Sequence, residues 1–95
     1  MLLLMADPGL LVRDEHYDVD VSHDTVWVND AVGMCIGRFG PRGIDVHATA
    51  QDQLEGAHCL ACAKRSADAD RDWAFFVDNM LAHHRVQLTD QDRPG

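Results

Sequence analysis

Cys59-Leu60-Ala61-Cys62, with His58 immediately before it and the pair His83-His84 about one helix later, is the constellation in this chain best suited to a defined chemistry. Two thiolates separated by two residues can grip a tetrahedral metal from one tight turn, and an imidazole on a following helix can supply a further ligand. Zinc is the metal this implies, with Cys59, Cys62, His84, His83 and His58 as candidate ligands and His47 or Cys35 as the remaining one. Two other readings stand beside it. The cysteines can be structurally buried free thiols, or they can form a redox pair or disulfide. A thioredoxin-type motif begins a helix after a strand in a βαβ unit, and the surrounding pattern here is antiparallel. A zinc finger repeats a tight pair on both sides, whereas His83 and His84 are adjacent. The reading therefore expects no cofactor, with zinc as the alternative.

A second feature is Gly37-Arg38-Phe39-Gly40-Pro41-Arg42-Gly43. Two arginines on a glycine-rich turn beside an aromatic ring suit contact with an acidic pocket of another protein, because Arg and aromatic side chains favour interface centres. The plainer reading is a hairpin turn whose glycines answer backbone geometry. Trp27, Phe39 and Phe75 lie off the faces that the hydrophobic pattern assigns to the core, so Trp27, Arg38, Phe39, Arg42 and Phe75 form the candidate partner-binding set. Catalysis finds little support. Ser22-His23-Asp24 has the residues of a triad, but sequence neighbours point in different directions and cannot form the relay. Asp45 and His47 share a strand face and read as a surface pair. No phosphate loop, nucleotide fingerprint or paired-carboxylate motif is present in the sequence.

Charge narrows the partner classes. Sixteen acidic and eight basic side chains give a net charge of −8, and Asp7, Asp14, Glu15, Asp18, Asp20 and Asp24 face only Arg13 in the first 25 residues. Phosphate binding needs clustered cations, so nucleic acid and anionic membranes are disfavoured and a protein partner or self-association is expected. The apolar stretch from Met1 to Met5 lacks a positive flank, stops at Asp7-Pro8 and falls far below the ~20 residues of a membrane span. The reading is a cytoplasmic protein whose thiols are reduced or metal-bound, with Met5 as an alternative start.

Periodicity defines the elements on which these residues sit. A chain of 95 residues with 46% hydrophobic and 25% charged residues reads as one domain burying roughly 60 to 65% of its unfolded surface, with residues 1–14 and 90–95 as loose termini. Tyr17, Val19 and Val21 alternate with polar residues as in a half-buried strand. Val26 and Val28 share a second strand with Trp27 on its opposite face. A third strand fits Met34 to Phe39, with Met34 and Ile36 opposed to Cys35 and Phe39. A fourth runs from Ile44 to His47, Ile44 and Val46 facing inward. Thr49 caps a short helix at about 50 to 56, and the cysteines lie in the connection after it. Ser66, Asp68 or Asp70 then caps the strongest helix. Trp73, Phe76, Val77, Met80, Leu81 and His84 recur at i, i+3, i+4, i+7, i+8 and i+11 and form one stripe. His84 should be buried, neutral and hydrogen-bonded, and His83 more exposed.

The run Ile36-Gly37-Arg38-Phe39-Gly40-Pro41-Arg42-Gly43-Ile44-Asp45-Val46-His47, then Cys59-Leu60-Ala61-Cys62, then Asp72-Trp73 with Phe76, Met80 and His84, resembles small proteins of no assigned activity carried by bacteria and their phages or prophages. The resemblance covers roughly residues 25 to 88 and excludes the acidic amino-terminal stretch. It implies a small accessory protein that binds a host or phage protein.

The fold expected is α+β: a four-stranded antiparallel meander over residues 17–47, covered on one face by an amphipathic carboxy-terminal helix at about 67–84. The alternative is a curled Sm-like or SH3-like barrel, with Val86 to Leu88 as a fifth strand and Gly37, Gly40 and Gly43 permitting the bends. The function expected is a non-enzymatic accessory or interaction protein, with zinc binding as the alternative.

Overall fold

The computed structural model describes residues 9–47 and 59–94. The expected helix at 50–56, His58 and the apolar stretch from Met1 to Met5 lie outside the described residues. The architecture is α+β. Among the described residues, strands β1 (Tyr17–Val21), β2 (Val26–Asp30), β3 (Cys35–Gly40), β4 (Gly43–His47) and β5 (Cys59–Ala63) precede one α-helix, α1 (Ala69–His84), and a short 3-10 turn at Asp90–Asp92. The strands form one antiparallel sheet in the order β1-β2-β3-β4-β5. Five strands replace the expected four because the cysteine segment is itself a strand, added beside β4. Val86 to Leu88 form no strand, and β1 and β5 remain at opposite edges, so the sheet is open and the barrel alternative does not hold.

The first three turns obey local chemistry. Ser22 N–H donates to the Thr25 carbonyl at 2.9 Å across the β1–β2 turn. The Asp30 carboxylate accepts from the N–H groups of Val32 and Met34 at 3.0 and 2.9 Å, while Gly33 supplies a φ of +86° that side chains other than glycine rarely adopt. Gly40 and Gly43 pair across the β3–β4 hairpin, with Pro41 and Arg42 at its tip.

Strand β3 departs from simple alternation. Val28 pairs with Gly37 and Asn29 with Cys35, leaving Ile36 as one extra residue. Such a β-bulge shifts the phase of side-chain alternation. Ile36 and Phe39, three residues apart, are consequently both core residues, 2% and 3% exposed. Unbroken alternation would set Phe39 on the face opposite Ile36 and in the partner-binding set; the bulge removes it from both. Its ring meets Trp73 edge-on at 5.0 Å and Phe76 at 5.7 Å between centroids.

Helix α1 packs on β3 and β4. Its N-cap is Asp68, whose carboxylate accepts from Arg71 N–H at 3.1 Å. Trp73, Phe76, Met80 and His84 are buried along it, whereas Leu81 stays 36% exposed. The buried stripe is thus narrower than the periodicity implies. Phe75 is half-buried and packs against the core cluster. Its position on the far side of the stripe is therefore partly covered and not fully exposed. The helix ends as Arg85 turns left-handed, with φ of 56°, and Val86 N–H donates to the Met80 carbonyl at 3.3 Å. The reversed chain then buries Val86 and Leu88 in the same cluster as Tyr17, Val26, Val28, Ile44 and Val46.

Two charge pairs anchor the periphery. Arg65 donates to Asp72 at 2.8 Å and to the Gly40 carbonyl at 3.0 Å while lying 4.5 Å over the Phe39 ring, and Ser66 adds hydroxyl and N–H donors to the same carboxylate. Arg13 forks onto both oxygens of buried Asp92 at 2.8 Å. The described parts of the two segments expected to be loose termini are thereby fastened to each other. The Arg65 guanidinium and Ser66 hold the Asp72 carboxyl below its ordinary range, and the Arg13 guanidinium does the same for Asp92 against the opposing effect of burial.

Two outcomes are expected. A Cβ added at Gly37 would stand 2.5 Å from Met80 Sδ and 3.3 Å from Phe76 Cε1, so Gly37→Ala should lose about 1–3 kcal/mol in urea titration through overpacking. A loss below about 0.5 kcal/mol would show that Met80 simply moves aside. Because both carboxyls titrate lower in the folded state, their stabilisation is complete above the unfolded value of about 3.9 and disappears as pH falls through the lower folded values. Asp92→Asn should therefore lower the melting temperature at pH 7 and flatten its decline below about pH 4; an equally steep acid limb in the variant would contradict the assignment.

Candidate functional site on the outer sheet face

The sheet face away from α1 carries the chemistry. Cross-strand register aligns Asp20, Trp27, Arg38, Asp45 and Cys62 as one row through all five strands. These residues alternate with the buried Val26, Val28, Phe39, Ile44 and Val46, which is why they share the outer face. The next row pairs His47 with Cys59. Trp27 is half-exposed and Arg38 and Arg42 exposed. The Arg38 guanidinium is ion-paired with Asp45. Trp27, Arg38 and Arg42 line one concavity of about 180 Å³ with Asp24, Thr25, Gly40, Pro41 and Gly43. Of the five residues expected to bind a partner, the structure gathers these three and sends Phe39 and Phe75 to the helix side.

Cys59 and Cys62 are joined as a disulfide on β5, and both are exposed. Of the readings the sequence left open, this is the disulfide and not a pair of free buried thiols. In a regular strand, residues three apart point to opposite faces. Here Val46 pairs with Ala61 and His47 with Cys59, leaving Leu60 as an extra residue, and that second bulge brings both cysteines to the outer face. Ala61 is left half-buried against the core.

The histidines separate. His84 is 7% exposed, and its Nε2 lies 2.6 Å from the His47 carbonyl oxygen. His83 is exposed on the same helix end. Among the described residues, no three His, Cys, Asp or Glu side chains converge as a metal ion would require. Cys35 is a free thiol on β3, half-buried, donating to the Gly37 carbonyl at 3.3 Å. Burial pushes its thiol pKa upward, favouring the protonated form.

Sequence reasoning missed Lys64. It lines a groove of about 330 Å³ with Arg38, Arg42, Gly43, Asp45, Cys62 and Ala63. The available signal was the strand itself: reading residues 59–63 as β rather than as a connection puts Cys62 and the residue two beyond it on one side. Among the described residues, Arg42 and Lys64 enter no ion pair, whereas Arg38 is neutralised by Asp45. A separate cleft is acidic, lined by Asp14, Glu15, Asp18 and Asp30 with Tyr17.

No helix among the described residues is long and apolar enough to cross a membrane. Comparison with protein-family models, curated proteins and solved structures finds no match to this chain.

The disulfide closes a ring of only four residues, for which loop-closure entropy gives a contribution of about 2 kcal/mol. Cys59→Ser/Cys62→Ser should accordingly remain folded and lose about 2 kcal/mol in urea titration. Outright unfolding of the double variant would mean that the fold depends on this link far more than chain entropy allows.

Proposed function

We propose that this chain is a non-enzymatic interaction module that binds a protein partner through the outer face around Trp27, Arg38 and Arg42. The supporting observation is the concavity in which a half-exposed indole, an exposed guanidinium without an ion pair among the described residues and the β3–β4 hairpin adjoin. Aromatic and Arg side chains are the residue types that carry interface energy when a partner desolvates them. The hairpin is held from behind by Arg65, which binds the Gly40 carbonyl and stacks on Phe39, so its tip loses little freedom on binding. The partner suited to this surface presents an acidic side chain toward Arg42 and an apolar one toward Trp27. The net charge of −8 disfavours nucleic acid in the same position. A role as an accessory protein of a phage or other mobile element agrees with the resemblance of residues 25 to 88 to such proteins.

The metal reading is a second proposal, confined to the reduced protein. It has one observation in its favour: Cys59, Cys62 and His47 occupy adjoining register positions on one face. The disulfide occupies both thiolates that zinc would need.

A tagged wild-type chain is expected to retain a specific protein from a lysate of its source cells that Trp27→Ser and Arg42→Glu both lose and Arg71→Glu, on the helix, keeps. Equal retention by all four would contradict this surface. Elemental analysis after anaerobic reduction tests the metal reading, which requires close to one zinc per chain and is lost below about 0.1.

A further inference from the structure

The Cys59–Cys62 disulfide, Arg42 and Lys64 adjoin in a groove that the binding surface around Trp27 does not explain. Cys62 lines this groove, and Cys59 is not among its lining residues. Arg42 and Lys64 are exposed, and Asp45, the carboxylate in the groove, is occupied by Arg38. A chain with a large acidic excess thus places two cations, without ion pairs among the described residues, beside the sulfur that lines this groove. Thiol–disulfide exchange proceeds by thiolate attack on a disulfide sulfur, and its rate depends on access and on which sulfur is attacked.

We propose that the Cys59–Cys62 disulfide is a reversible redox element that small anionic thiols reduce by attack at Cys62, with Arg42 and Lys64 holding the thiol's carboxylates. The attacking thiolate bonds to Cys62 Sγ as the Cys59–Cys62 bond breaks, and Cys59 leaves as a thiolate that takes a proton from water. A second thiol molecule, as its thiolate, attacks the sulfur of the first, releases the oxidised thiol dimer and leaves Cys62 as a thiolate, which is protonated in turn. Two thiols lose two electrons, and the protein disulfide gains them. Cys35, half-buried and donating to the Gly37 carbonyl, stays outside the exchange. Reduction frees the edge strand from its cross-link between residues 59 and 62. This proposal concerns the purified chain alone and is independent of partner binding, so either can fail without the other.

The experiment measures second-order rate constants for reduction by 3-mercaptopropionate, 2-mercaptoethanol and cysteamine, which carry negative, no and positive charge. The same thiols with an unstructured peptide containing the Cys-Leu-Ala-Cys disulfide provide the reference for intrinsic thiol reactivity. At about 0.1 M salt, where charges beyond ~10 Å are screened, the wild-type chain should favour the anionic over the cationic thiol about tenfold more than the peptide does. Arg42→Ser/Lys64→Ser should bring that preference to within about twofold of the peptide. Raising salt toward about 1 M should likewise reduce the wild-type preference; this arm stands even where the double variant fails to fold. Mass mapping of the trapped mixed disulfide should find the adduct on Cys62. A wild-type preference no greater than the peptide's, a preference that rises with salt, a folded double variant that keeps it, or an adduct on Cys59 would each overturn the proposal.

Discussion

Side chains on a strand alternate between two faces, so two residues an odd number apart can share a face only if the strand carries an extra residue. This constraint acts twice in the sheet and governs both the core and the outer face. In β3 the extra residue is Ile36, and its insertion lets Ile36, Gly37 and Phe39 all contribute to the inner side. Phe39 then joins Trp73 and Phe76 in an aromatic cluster with centroid separations of 5.0 to 5.8 Å. Gly37 leaves the space that Met80 fills, which allows α1 to approach β3 closely. In β5 the extra residue is Leu60, and its insertion puts Cys59 and Cys62 side by side on the outer face. One device therefore completes the core on one side and brings the two cysteines together on the other.

The charged groups divide between fastening and presenting. Arg65 and Asp72 connect the β3–β4 hairpin to the start of α1, and Ser66 adds two further donors, so both oxygens of a buried carboxylate are hydrogen-bonded. Arg13 and Asp92 fasten the segment before β1 to the one after α1 through a bidentate pair. Such pairs stabilise when the geometry is fixed and the lone pairs are satisfied, and removing one partner leaves an uncompensated charge. They also hold rigid the scaffold from which Trp27, Arg38 and Arg42 project. Arg42 and Lys64, by contrast, have no carboxylate partner among the described residues. They are two cations available to a ligand on the outer face, in a chain where acid predominates.

The periodicity of the sequence was sufficient for the α+β class, the antiparallel meander from Tyr17 to His47, the turn positions, the capped helix with Trp73, Phe76 and Met80 inward, and the contrast between buried His84 and exposed His83. Each of these depends on a local rule: alternation of period two, a stripe of period 3.6, a glycine or aspartate at a turn. The Trp27, Arg38 and Arg42 surface was legible for the same reason, since alternation places Trp27 opposite the buried valines and the glycine-rich hairpin carries both arginines.

Tertiary structure alone decided the bulges, and with them the face of Phe39, the pairing of the cysteines and the fifth strand. A bulge shows in the sequence only as a break in alternation, which is indistinguishable there from a polar residue facing inward or an apolar one facing outward. Whether Cys59–Ala63 becomes a strand depends on the free edge of β4, a neighbour outside its own segment. Phe75, exposed by helical phase, is half-buried because it packs against the core cluster. The joining of Arg13 to Asp92 spans nearly the whole chain, and no local pattern encodes it. Local sequence determined which elements form and which side of each is apolar; contacts between distant segments decided register, because only there do hydrogen bonding and packing compete for the placement of a single residue.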